Sequence, residues 1–198
     1  AFLLNYVTDR QERNNSLYGH REGLAKVALA AAYLPFHFWR SRKRKRFQEF
    51  AAGEFAQSRR MTDLEQLRRF VNGIDDPAEA CDCLVSGSDQ VWNPTITDFD
   101  GAFFFPFKAR GRKVGYAISL GPATEKDVRR FLDEAVDFDS VSCREQGAAD
   151  VLAGLGIRAE QIVCDPVFLV ETGRWRKLAA ESAFDYGSCK PYVACYFL

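Results

Sequence analysis

The sequence predicts an α/β domain built on a parallel sheet, and three observations carry that prediction. From residue 83 onward, short apolar strand-like runs alternate with helix-patterned segments, the order that gives parallel strands joined by helices. Most of these runs end in a glycine, proline or aspartate breaker. A chain of 198 residues, 47% of them hydrophobic and 14% aromatic, can bury one substantial core.

The amino-terminal third is mostly helical in pattern. Residues Ala1 to Tyr6 read as a short strand and Thr8 to Ser16 as a polar loop. The alanine-rich stretch from Arg21 to Tyr33 favours helix, and Pro35 predicts its end, because the residue before proline is pushed out of helical geometry. The basic run Arg40 to Arg46 then leads into Phe47, Phe50, Ala51 and Phe55 at helical spacing. A further helix is expected over Leu64 to Phe70, capped by Thr62 or Asp63. These segments form a helical insertion around residues 21–70.

Cys83-Leu84-Val85-Ser86 is the first strand of the alternating region, and Gly101 to Phe107 is either an edge strand or a packed aromatic loop. Lys113 to Ser119 is the next strand, stopped by Leu120-Gly121-Pro122. Thr124 can cap a helix that places Val128, Phe131, Leu132, Ala135 and Val136 on one face. After the strand Ser140-Val141-Ser142, the spacing of Ser142 and Glu145 predicts a capping box, opening a helix through Ala148, Leu152 and Leu155 to Gly156. Ile162-Val163-Cys164 is a fourth strand closed by Asp165-Pro166, and Trp175 falls on a short helix before a linker near Gly187. Right-handed crossovers would direct every strand's carboxyl end to one crevice, where open α/β sheets bind their ligands.

Charge and cysteine content narrow the function. Twenty-seven basic residues balance twenty-seven acidic ones, so any attraction for anions is local. The one local excess is Arg40 to Arg46, which reads first as a solvated helix start, next as a contact for an acidic acceptor or lipid headgroups, and last as a nucleic-acid contact. Nucleic acid is not expected as a partner; peripheral membrane contact through 40–46 is kept open. Cys81, Cys83, Cys143, Cys164, Cys189 and Cys195 form no repeated C-x-x-C pair, so buried thiols are expected. His20 and His37 lie far in sequence from most of them, so no metal is expected. Without a signal-peptide pattern or an apolar run of transmembrane length, a cytoplasmic location is the default expectation. The chain opens on Ala1 and closes on the apolar run Tyr192 to Leu198, so both ends look cut. Residues 1–187 would form the domain, and 188–198 a linker and the first strand of a second domain.

The candidate chemistry collects at the predicted strand ends. In the turn Val85 to Pro94, Gly87 permits close backbone approach, while Ser88, Asp89, Gln90 and Asn93 offer hydroxyl, carboxylate and amide groups suited to sugar hydroxyls. Trp92 either stacks on a sugar face or plugs the crevice, and the whole turn is equally well an Asx-type turn over a core tryptophan. Ser119 and Gly121 would add a hydroxyl and exposed amides at the same end. With Ser142 as cap, Arg144 would stand in the first turn of a helix, where free amides and a guanidinium suit phosphate or carboxylate; the plainer alternative is a surface pair with Asp139 or Glu145. Asp165 before Pro166 reads mainly as a strand terminator. No P-loop or G-x-G-x-x-G fingerprint is present, which removes the main support for an ATPase or dinucleotide dehydrogenase.

Four runs occur together: V-S-G-S-D-Q-V-W-N-P at 85–94, K-V-G-Y-A-I-S-L-G at 113–121, F-D-S-V-S-C-R-E at 138–145 and V-C-D-P-V-F-L at 163–169. In this order and spacing they resemble the polysaccharide pyruvyl transferase family, well over about residues 60–198 and weakly over the first 55. The resemblance implies a Rossmann-like α/β domain, the amino-terminal half of a two-domain enzyme arranged like GT-B glycosyltransferases. It implies transfer of the pyruvyl group of phosphoenolpyruvate to a sugar diol as a ketal, with release of phosphate and no cofactor. Arg144 would then hold the donor's phosphate or carboxylate, while Asp89, Gln90 and Asn93 would line the cleft between domains. Asp89 is the local candidate for orienting or deprotonating an acceptor hydroxyl, with Gly87, Ser88, Trp92, Ser119 and Gly121 completing the wall. Neither histidine lies in a motif, so the proton donor is expected in the second domain. A GT-B-like glycosyltransferase using a nucleotide sugar and a non-catalytic glycan-binding domain are the competing readings.

Overall fold

The structure is a computed structural model that describes residues 1–8, 24–96, 99–132 and 137–181, with residues 24–37 and 40 as backbone only. Its centre is a parallel sheet of four strands, β1 (Cys83–Gly87), β2 (Arg112–Ile118), β3 (Ser140–Cys143) and β4 (Gln161–Ile162), in the spatial order β1-β2-β3-β4. Val85 stands opposite Val114, Gly115 opposite Val141, and Cys143 opposite Ile162. Among the described residues five α-helices accompany the sheet: α1 (Leu24–Glu54), α2 (Leu64–Val71), α3 (Glu125–Arg129), α4 (Gln146–Gly154) and α5 (Thr172–Glu181). The fold is α/β with a parallel sheet, as the alternating pattern predicts, and Rossmann-like, as the family resemblance implies.

Strand alternation decides where the core lies. Leu84 and Ser86 of β1, Lys113 and Ala117 of β2, and Val141 and Cys143 of β3 are buried. Val85, on the opposite side of β1, remains 62% exposed, so the described residues bury mainly one face of the sheet. Two apolar clusters form. One gathers Trp92, Phe104, Ile118, Val128, Val141 and Leu152; the other gathers Met61, Leu67, Phe70, Leu84, Phe105 and Phe107. Phe138 packs against both, its ring 4.8 Å from that of Trp92 and 6.1 Å from that of Phe105. Lys113 lays its stem in the interior and carries its ammonium to exposed Asp137, 5.7 Å from the Phe107 ring centre.

Local chemistry explains the helix ends. Asp63 caps α2 by accepting a hydrogen bond from the Gln66 backbone amide at 2.8 Å, and Gln66 Oε1 accepts from the Thr62 amide at 3.2 Å. Leu67, Phe70 and Val71 then fall on the buried face. Thr124 and Asp127 form the capping box that starts α3, and Gly156 leaves α4 with φ +82°.

Several elements differ from expectation. Helix α1 continues through Pro35 to Glu54; the strong helix formers on both sides offset the roughly 3 kcal/mol that an internal proline costs. Residues 1–8 form two isolated parallel bridges, Leu3 with Gln57 and Tyr6 with Met61, in place of a strand. Of the two readings of Gly101 to Phe107 the packed aromatic loop holds, entered by a 3₁₀ turn at Gly101–Phe104 that Asp100 caps. Cys83 and Cys164 are exposed, whereas Cys143 is buried. Ser142 stays within β3, opposite Gln161, and its hydroxyl accepts a hydrogen bond from the Ala117 amide at 3.1 Å, so the cap of α4 is Glu145 instead. His20, Cys189, Cys195, Ala135, Val136, the linker near Gly187 and the segment 188–198 lie outside the described residues.

Candidate functional site

All four strands point their carboxyl ends the same way, and the four motif-bearing segments meet there. After β1 the chain turns sharply. Gly87 has φ +142°, and a Cβ there would collide with the Tyr116 carbonyl. Ser88 and Asp89 follow at φ +50° and +44°, a left-handed pair of non-glycine residues costing on the order of 1 kcal/mol or more each. The Ser88 amide donates to the Tyr116 carbonyl at 3.0 Å, which anchors the turn to β2. Asp89 is exposed, and among the described residues no hydrogen bond or ion pair engages its carboxylate.

The rest of that motif is support. Trp92 is fully buried; its indole N–H donates to Ser86 Oγ at 3.0 Å and to the Phe103 carbonyl at 3.1 Å. Of the two readings of Trp92, the structure therefore carries the plug, since a ring without exposed surface cannot stack on a sugar. Asn93 is 1% exposed, with Oδ1 accepting from the Thr95 amide and hydroxyl at 2.9 and 2.7 Å and Nδ2 donating to Gln90 Oε1 at 2.7 Å. It is the Asx turn of the alternative reading, and it sets the Gln90 carboxamide in place.

The end of β2 fits against that turn. Ala117, at φ +52°, marks a register shift between Gly115 and Ile118 that bends the strand as it leaves the sheet. Ser119 is buried and its hydroxyl accepts from the Gly121 amide at 3.4 Å. Gly121 has φ +53°, and a side chain there would run into the Gln90 carboxamide. Glu145 Oε1 accepts from the Leu120 amide at 3.2 Å, tying this loop to the end of β3.

Arg144 stands at the centre of the strand ends. Its amide donates to the Ile118 carbonyl at 2.9 Å, and its guanidinium Nη1 donates to Asp165 Oδ2 at 2.7 Å, with Glu145 3.8 Å from Nε. The same Asp165 oxygen accepts from Ser88 Oγ at 3.3 Å, while Oδ1 accepts from the Val167 amide at 3.0 Å. The Val167 amide first, and then the Arg144 guanidinium, hold the Asp165 carboxyl below the usual carboxylate range. Arg144 thus lies just before α4, outside its first turn; a carboxylate in the turn after β4 orients it, and the helix amides do not. Asp165 is the residue that sequence reasoning undervalued. Its signal was present: a parallel fourth strand ending in Asp-Pro must deliver that aspartate to the same edge as Arg144.

A guanidinium has five donors, and one is committed to Asp165, so the remainder can still meet an anion. Glu145 and Asp165 stand beside it as carboxylates that can accept hydrogen bonds from hydroxyls, and Asp89 follows Ser88, whose hydroxyl meets Asp165. Cys143, directly before Arg144, does not join this chemistry, because burial and then Glu145 push its thiol up to about 11.

A family model described as polysaccharide pyruvyl transferase matches residues 16–195. The chain belongs to the polysaccharide pyruvyl transferase family. Neither curated proteins nor solved structures give a match. Membership of this family points to pyruvyltransferase-type catalysis in general terms, and the match spans all four segments that meet at the strand ends.

Proposed function

We propose that the protein transfers the pyruvyl group of phosphoenolpyruvate to a sugar of a polysaccharide or its precursor, forming a ketal and releasing phosphate. The observation that supports this most is the meeting of Arg144, Asp165, Ser88 and Asp89 at one edge of a parallel sheet in a chain of this family. Ketal formation adds a proton to the methylene carbon of the donor and joins one sugar hydroxyl to the neighbouring carbon. A second hydroxyl then displaces phosphate, and the two hydroxyl protons balance the one gained by carbon and the one leaving with phosphate.

In this reading Arg144 holds the donor's phosphate or carboxylate, with Asp165 fixing its direction. A preorganised cation lowers the barrier as charge gathers on the departing phosphate. Asp89 orients or deprotonates the acceptor hydroxyl. Gly87, Ser88, Gln90, Ser119 and Gly121 shape the wall, and Trp92 and Asn93 brace it from beneath. Residues 1–187 act as the amino-terminal half of a GT-B-like pair in the cytoplasm, and a second domain supplies the proton donor. In the full-length protein, Arg144→Ala should lower phosphoenolpyruvate-dependent phosphate release by about 10²–10³-fold or more. Unchanged turnover in that variant would sink the assignment of Arg144, and sugar transfer from a nucleotide sugar without phosphoenolpyruvate would replace the reading with a glycosyltransferase.

A further inference from the structure

The basic run that the site does not use lies on α1, a helix of 31 residues and about 46 Å. Six of the seven residues from 40 to 46 are Lys or Arg. On the same stretch Trp39 and Phe50 are each 60% exposed and Phe47 is 65% exposed, large apolar rings with most of their surface open to solvent. Helical geometry places Trp39, Lys43, Phe47 and Phe50 on one face, spanning about 80° of the helix circumference. Lys43 bridges this face, its ammonium 5.8 Å from the Trp39 ring centre. Arg46 flanks the face, and Arg42 lies just beyond it.

We infer that this segment of α1 is a docking surface for an anionic lipid bilayer. Two properties must be matched at once. The clustered cations need a dense negative surface, and the aromatic face needs an apolar boundary immediately beneath that charge. The interfacial zone of an anionic membrane offers both, with rings entering the headgroup layer and long Lys and Arg stems carrying their charges back to the phosphates. A second copy of α1 would set like charges against one another. A nucleic-acid duplex would neutralise the cations but leave Phe47 and Phe50 in water. No helix among the described residues is long and apolar enough to cross a membrane, so the contact is peripheral.

The test uses the whole chain and extruded vesicles, either pure phosphatidylcholine or phosphatidylcholine with one third phosphatidylglycerol. Binding is read by co-sedimentation and by tryptophan emission. The anionic vesicles should bind at least about tenfold more tightly than the neutral ones, with strong weakening in high salt. Emission should shift to the blue on binding, and the shift should vanish in Trp39→Phe. Lys43→Glu with Arg46→Glu should remove most of the preference, since each near-surface cation is worth about fivefold. Phe47→Ala with Phe50→Ala should weaken binding while leaving the salt dependence. All these side chains are exposed, and circular dichroism will check that each variant keeps its helix. Equal binding to both vesicle types, or binding without a shift from Trp39, would overturn the inference. So would retention of a single-stranded RNA homopolymer without vesicle binding.

Discussion

Among single residues, Asp165 ties the strand ends together as much as Arg144 does. Asp165 joins the ends of three strands: it accepts from Ser88 after β1, from Arg144 after β3, and from its own turn after β4. If its work is to aim the guanidinium, Asp165→Ala should lower kcat by roughly 10–100-fold, with a smaller change in KM for phosphoenolpyruvate. An equal fold-change confined to KM would show that Asp165 serves only binding. The pair's pH dependence has a definite sign. The Asp165 carboxyl is depressed, so its contribution to stability is present above the ordinary carboxylate pKa of about 3.9 and is lost only as pH falls through the lower folded value. Titration of this pair should therefore leave activity flat from neutral pH down to about pH 5; an activity step in that range that disappears in Asp165→Asn would contradict the assignment.

Elements differ in how openly the sequence displays them. Helix α2 was legible because its cap and its buried stripe are both local, and the two can be weighed against each other. Asp63→Ala removes one capping bond and should cost about 1 kcal/mol. Phe70→Ala empties a core position and should cost about 3–5 kcal/mol, both measured by urea unfolding. Comparable losses would mean that Phe70 is not packed as described. The start of α4 was not legible. Ser142 and Glu145 have capping-box spacing, but Ser142 finds a stronger claim across the sheet in the Ala117 amide, a contact 25 residues away that no local pattern reveals. Pro35 misled for the opposite reason, since a local rule predicted a break that the helix formers around it override.

For the molecule as a whole, the alternation of strands and helices was enough to give the parallel sheet and the edge at which its motifs gather. It was not enough to sort the motif residues by role. Trp92 and Asn93 occupy the same ten-residue run as Asp89, yet they are buried with their polar atoms satisfied, while Asp89 stands exposed on strained backbone. Sequence order fixes which residues reach the edge; which of them turn toward solvent depends on packing from Phe103, Phe104 and Phe138. Pyruvyl transfer at that edge can be checked by following the donor's carbon. Full-length protein, supplied with phosphoenolpyruvate labelled with carbon-13 at the methylene position and with a glycan acceptor, would be followed by NMR. The expected result is a labelled methyl signal that elutes with the glycan, with one phosphate released per methyl formed. Label recovered only as phosphoenolpyruvate or free pyruvate, with an unmodified glycan, would contradict it.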